Sequence, residues 1–213
     1  MVTREPGPGM GQVRVYNRFR LWHNHGGVGS RYDKRPRTGP KPPLDAEGLE
    51  RLGLFYAGRY ATTRSKLADY LRRKLRERGW SGPGEPPVEA LVERFAGLGY
   101  VDDRAFAEAR AASLLRRGYG ERRVSEALRG AGIAEPDSAQ ARLEAEKDAL
   151  AAAHRFARRR RLGPYADRAP DRAAERKAIA AMMRAGHRLE TVRAVLGASP
   201  DDLPGEDVPQ KQS

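Results

Sequence analysis

Apolar positions along this chain recur at helical spacing and are punctuated by glycine. Leu67, Leu71 and Leu75 fall four apart and are followed by Gly79-Trp80; after a turn, Val88, Leu91, Val92, Phe95 and Leu98 resume the period. Val124 and Leu128 lead to Gly132-Ile133, and Ala178 and Met182 lead to Gly186-His187, with Leu189, Val192, Val195 and Leu196 beyond. In each case the last two apolar positions and the glycine are spaced by four, so one helix face recurs and is stopped by a residue that tolerates a left-handed cap. A basic helical stretch, a Gly plus a large residue, and a shorter helix thus occur in three copies. That pattern predicts a modular, elongated binding surface rather than a pocket. Units of this size cannot bury an apolar face alone and must stack on their neighbours.

Local signals place the helix ends. Leu44-Asp45 opens the first helix, Glu47 suits the positive end of its dipole, and its apolar face runs through Leu49, Leu52, Leu54, Phe55 and Tyr56. Thr62 or Thr63 caps a helix that runs to about Arg78; at 100° per residue Arg72, Arg73 and Arg76 fall away from its leucine stripe as a solvated basic ridge. Gly82-Pro83-Gly84 and Pro86-Pro87 form a turn, with Pro87 in the first turn of the next helix. Gly99 ends that helix, Tyr100 and Val101 pack back over the junction, and Asp102 caps a helix presenting Phe106, Ala109 and Ser113 on one face. The adjacent Asp103 reads as a charge matched to the dipole.

Residues 1–43 carry glycines and prolines that break every helix, and read as a flexible basic arm. One island, Val13 to Trp22, alternates apolar residues with Arg14, Arg18 and Arg20, as a short strand or an adhesive basic segment does. Met10 is a second candidate start. The predicted organisation is the arm 1–43, helical units at 44–101, 102–145 and 146–197, and a disordered tail 198–213 with four acids.

Composition narrows the class. With 32% charged and 39% hydrophobic residues in 213, thin helical layers suit the chain better than a barrel or a doubly wound sheet. No apolar run approaches the roughly 20 residues needed to cross a bilayer, and no secretion signal is evident, so the default address is the cytoplasm. The absence of cysteine excludes disulfides and cysteine-ligated zinc. The net charge of +13 points to a polyanionic partner or an acidic protein surface. It is distributed as +7 over residues 1–43, +3 over 44–118, +3 over 119–162 and zero over 163–213. The chain from residue 163 on, which holds most of the third unit, is therefore expected to act in packing or in contact with protein.

Enzymatic constellations are missing. The histidines are His23, His25, His154 and His187; the first two form His-x-His in the arm with no third ligand at a recognisable spacing. There is no phosphate loop of the Gly-x4-Gly-Lys type. Asp102-Asp103 reads as a cap plus dipole charge rather than a metal site. The chain is expected to be a non-enzyme without cofactor or metal. The candidate contact residues are arginine clusters: Arg72, Arg73 and Arg76; Arg116, Arg117, Tyr119, Arg122 and Arg123, which join phosphate-binding charge to an aromatic; and Arg158, Arg159, Arg160 and Arg161.

Several of these motifs, in order, resemble the bacterial RecX regulatory proteins. They are Arg64-Ser65 leading into Leu67, Leu71, Leu75 and Gly79; Gly99-Tyr100-Val101-Asp102-Asp103 with Phe106-Ala107; and Arg116-Arg117-Gly118-Tyr119-Gly120 with Arg122-Arg123, Leu128 and Gly132-Ile133. The resemblance spans about residues 44–197, and the third unit departs from it in its arginine cluster, its Gly163-Pro164-Tyr165 loop and its Ala178 and Met182 stripe. It implies an all-α, curved and elongated monomer of three tandem three-helix, helix-turn-helix-like repeats. It also implies binding to the RecA recombinase filament on single- and double-stranded DNA without strong sequence preference, and negative control of strand exchange, ATP hydrolysis and co-protease activity in recombination and the SOS response. The competing reading is a helix-turn-helix transcription regulator. Against it, the exposed residues of the candidate recognition helices are almost all Arg, Lys and Glu, with few side chains suited to reading bases.

Overall fold

The computed structural model describes residues 41–199 and Leu203. The Val13–Trp22 island, His23, His25 and the tail beyond Ser199, apart from Leu203, lie outside the described residues. The described chain is helical: α1 (Ala46–Arg59), α2 (Arg64–Arg78), α3 (Val88–Gly97), α4 (Asp103–Arg116), α5 (Glu121–Arg129), α6 (Glu135–Lys147), α7 (Ala149–Arg160), α8 (Arg172–Arg184) and α9 (Leu189–Leu196). A 3-10 turn at Gly163–Tyr165 follows α7. The one extended pairing among the described residues is an isolated parallel bridge between Leu44 and Trp80.

Side-chain oxygens begin four of these helices by accepting an otherwise orphaned backbone N–H. Asp45 accepts from Gly48 at 2.8 Å, Thr63 from Lys66 at 3.2 Å, Asp102 from Ala105 at 2.8 Å and Asp171 from Ala174 at 2.7 Å. The recurring glycines turn the chain out of the second helix of each triplet at positive φ, 81° at Gly79, 69° at Gly132 and 95° at Gly186. An L side chain is strained there, which is why glycine recurs.

Three apolar clusters form the interior. The first joins Leu44, Leu49, Leu67, Leu71, Val88, Leu91, Val92, Phe95 and Val101 from α1 to α3 and their flanks. Each fully buried aliphatic side chain here contributes about 1.5–3 kcal/mol. The second cluster draws on α4 to α6, and the third on α7 to α9. Helix α7 is shared, since Ala152 packs in the second cluster while Ala153, Phe156 and Ala157 pack in the third. Tyr119 touches both.

Expected faces differ in three places. In α1, Leu54 and Phe55 are exposed, Phe55 by 62%, because Gly53 is the residue that faces α3, so close to Phe95 that a Cβ would lie 2.8 Å from its ring. In α4 the buried face is Ala107, Ala111, Leu114 and Leu115, whereas Ala109 is exposed and Phe106 and Ser113 are half-buried. Small residues on α4 meet Ala141 and Ala145 of α6, so the two helices pack closely and the larger Phe106 sits at the margin beneath the Lys66 ammonium, 4.7 Å from its ring centre. Leu98, expected in the α3 stripe, is exposed beyond the helix end.

The turns after α2, α5 and α8 each receive an earlier segment of the chain. Leu44 N–H donates to the Gly79 carbonyl at 3.0 Å. The Thr63 hydroxyl donates to the Ala131 carbonyl at 2.7 Å. Gly120 N–H donates to the Ala185 carbonyl at 3.0 Å and Arg122 N–H to the Gly186 carbonyl at 3.2 Å. The start of α2 thus rests on the α5–α6 turn, and the start of α5 on the α8–α9 turn. Asp103 completes the first of these contacts. Its buried carboxylate accepts Arg64 N–H at 2.9 Å, and burial pushes its pKa up against the opposing pull of that bond and of the Arg64 charge.

Candidate nucleic-acid interface

The first arginine ridge is solvated but largely neutralised. Arg72 pairs with Asp69 and Glu89, and the Glu89 hydrogen bond raises its pKa while lowering that of Glu89. Arg73 lies 3.8 Å from Glu77 and over the Tyr70 ring. Arg76 is exposed and makes no ion pair among the described residues. Exposed pairs of this kind contribute little to stability, and each carboxylate reduces the charge available to a polyanion.

The second and third clusters are brought together. Gly118, at φ 72°, turns the chain between α4 and α5 so closely against α7 that a Cβ would lie 2.7 Å from the Phe156 nitrogen. That contact sets the end of α7 beside the α4–α5 turn, and the Arg159 guanidinium donates to the Arg117 carbonyl. Arg155 of α7 donates to the Leu115 carbonyl at 3.2 Å on the same seam. Arg116 and Arg122 are exposed without ion pairs among the described residues, whereas Arg123 pairs with Glu126 at 3.3 Å. Arg117 stacks over Tyr119 at 5.1 Å, leaving that half-buried ring held by packing below and a guanidinium above.

Within the third cluster, Arg158 covers the Tyr165 ring at 5.2 Å, and Arg159 and Arg160 flank Phe156. Arg161 caps α7 in the left-handed region, φ 51°, and pairs with Asp167 at 3.1 Å. Its glycine-like conformation frees Leu162 N–H to bond the Ala157 carbonyl at 2.9 Å. Beneath this cluster His154 Nδ1 and the Tyr165 hydroxyl are 2.8 Å apart; burial, and then the Arg158 charge, hold His154 below its ordinary pKa. The last turn of α7 therefore concentrates cations where the helix dipole is negative.

One basic residue escaped the sequence reading. Arg110, exposed and without an ion pair among the described residues, shares a cleft with Arg117, Tyr119 and Arg123. Its spacing of seven from Arg117 places it on the same face of α4, and that period was the available signal. Among the described residues there is no group of acids and histidines able to hold a metal, and no helix long and apolar enough to cross a membrane.

Comparison with known proteins converges on one family. Residues 102–141 match the family described as RecX, second three-helix domain. The Regulatory protein RecX of Myxococcus xanthus is 32% identical over 178 residues, covering 79% of this chain and 95% of that protein. That of Agrobacterium fabrum is 34% identical over 150 residues, covering 68% and 79%. The fold is also that of the RecX crystal structure from Lactobacillus salivarius, with a TM-score of 0.58 at 16% identity over 71% of this chain and 94% of that one. At 32% identity to a Regulatory protein RecX along 95% of that relative's length, this helical chain belongs to the RecX family of regulatory proteins.

Proposed function

We propose that this chain binds the RecA–DNA filament in the cytoplasm and restrains its recombinase, ATPase and co-protease activities, as a monomer and without catalysis or cofactor. The observation that supports this most directly, beside family membership, is the joining of the second and third arginine clusters through Arg159 and the Arg117 carbonyl. A continuous field of guanidinium groups on rigid helix ends suits backbone phosphates, and its lack of base-reading side chains suits a partner of any sequence. Contacts spread over several helical units give avidity to many weak interactions without a pocket. Arg116, Arg117, Tyr119, Arg122 and Arg123 are its centre, with Arg158 to Arg161 alongside, and the neutralised ridge of Arg72, Arg73 and Arg76 contributes less.

The test is the rate of single-strand-dependent ATP hydrolysis by the cognate RecA, titrated with this protein. Suppression well below one copy per RecA protomer is expected. Folded protein in excess with no effect on that rate overturns the reading, and selection of one duplex sequence would then identify a transcription regulator.

A further inference from the structure

A cleft between α4 and α5 lies inside the arginine field. It encloses about 250 Å³. Leu114 and Ala127 give its lining an apolar part, Arg110 comes from α4 and Arg123 and Glu126 from α5, and the stacked Arg117 and Tyr119 complete it. The charges are unequally satisfied. Arg123 shares Glu126, but Arg110 and Arg117 are exposed with no carboxylate partner among the described residues.

A recess lined by three arginines and one carboxylate, with apolar side chains and a planar guanidinium–ring stack, matches a ligand that is itself flat, apolar on its faces and anionic at its edge. An unpaired nucleotide has that form. A base inside a duplex has both faces covered by its neighbours and must leave the stack to enter such a recess. A solvated phosphate needs no apolar lining, and an acidic peptide needs no planar stack. We propose that this cleft seats one unpaired nucleotide, its base against the Arg117–Tyr119 surface and its phosphate at Arg110, so that the chain prefers single-stranded to duplex nucleic acid. The proposal rests on the reading that the arginine field contacts nucleic acid and adds the strand type and the seat.

The test uses the full chain and no RecA. Fluorescence anisotropy compares a labelled oligothymidylate, an abasic strand of equal length and a duplex at fixed salt. The base-bearing strand is expected to bind about tenfold tighter than the abasic one, the scale of a stacked base. Arg117→Lys keeps the charge and loses the plane, so the ratio should fall toward one while the salt slope holds. Arg110→Ala should weaken both strands alike and reduce the salt slope by about one. Both side chains are exposed, and circular dichroism checks that the variants remain helical. Equal affinity for abasic and thymidine strands overturns the seat, as does a ratio unchanged in Arg117→Lys. Displacement of the oligonucleotide by poly-glutamate with affinity that depends on Arg117 overturns it in favour of a protein ligand. Loss of the strand ratio with RecA suppression intact removes only the seat; loss of RecA suppression with the ratio intact removes only the filament reading.

Discussion

The junction between the first and second units and the junction between the second and third join the same elements with different chemistry. In the first, side chains carry the contact: the Thr63 hydroxyl bonds the Ala131 carbonyl, the Asp103 carboxylate receives Arg64 N–H, and the Arg64 guanidinium reaches Asp137 at 3.2 Å. In the second, backbone pairs with backbone where the first uses side chains: Gly120 and Arg122 donate to Ala185 and Gly186, side chains such as His187 and Arg155 reach backbone carbonyls across it, and the pair that parallels Arg64 and Asp137 is an exposed Glu121–Arg188 contact with its charges reversed. The residue after the turn glycine differs too, Ile133 in one and His187 in the other, both buried. A side-chain junction tolerates repair by a second substitution, whereas the close backbone approach of the second leaves no room for a Cβ at Gly120 or Gly186.

Glycine substitution should expose that difference most strongly. A Cβ on Gly186 would lie 2.5 Å from the Arg123 nitrogen, at φ 95°, and a Cβ on Gly120 would lie 2.4 Å from the Gly186 carbonyl carbon. Backbone cannot rotate away, so Gly186→Ala is expected to cost about 3 kcal/mol from combined strain and overpacking. A Cβ on Gly132 would instead strike Ser65, 2.2 Å from its hydroxyl oxygen and 2.3 Å from its Cβ. Gly132→Ala should cost about 2 kcal/mol, and adding Ser65→Gly should return about half of it. Urea denaturation midpoints measure all three. Wild-type stability in Gly186→Ala, or no recovery in the double variant, would erase the distinction.

Next in size is Asp103, which is 4% exposed. Asp103→Ala removes the acceptor of Arg64 N–H and one carboxylate near its guanidinium, and is expected to cost about 2 kcal/mol. Thr63→Ala loses both the cap of α2 and the bond to Ala131, for about 1–2 kcal/mol. If the two act on one junction, their effects should fall short of additivity in a double-mutant cycle. Full additivity would place them in separate units of stability.

The elements that were legible in the sequence are those whose signal is local. Gly79, Asp102, Gly132 and Gly186 act as caps and turns within one turn of chain, and that much follows from local chemistry; the cap of α2 was legible only as Thr62 or Thr63, and the long-range bond of Thr63 to Ala131 was not. The face of α4 was not legible, because alanines at 107 and 111 bury themselves only when another alanine-faced helix arrives from 30 residues away. Asp103 was legible only in part for the same reason: it does stand in the first turn of α4, but its partner Arg64 lies 39 residues back, and a dipole charge and a buried acceptor look alike in sequence. Arginine clusters were visible as composition, but which carried carboxylates beside them depended on tertiary neighbours such as Glu89 against Arg72. The same limit hid Arg110.

The smallest expected effect separates the junctions by pH. His187 is buried against Phe156, its Nε2 lies 3.1 Å from the Gly118 carbonyl, and Nδ1 has no partner. Burial holds its pKa below the ordinary 6.5, with the Gly118 bond opposing in part. The unfolded chain therefore takes up a proton near that value while the folded chain does not. Stability from this group is full above the ordinary range and declines as pH falls through it toward the folded pKa, by at most about 1.4 kcal/mol per pH unit. His154 acts in the same direction, so a His187→Gln protein, which keeps a donor for Gly118, should show a reduced rather than absent slope between neutral and mildly acidic pH. Ile133 gives the first junction no such dependence. Native-state hydrogen exchange should therefore show acid-dependent opening at Gly120 and Arg122 amides, lessened in His187→Gln, while the Arg64 amide is governed by Asp103, whose raised pKa gives the opposite sign. Parallel acid-induced opening at both sites in both proteins would show that His187 does not set the behaviour of its own junction.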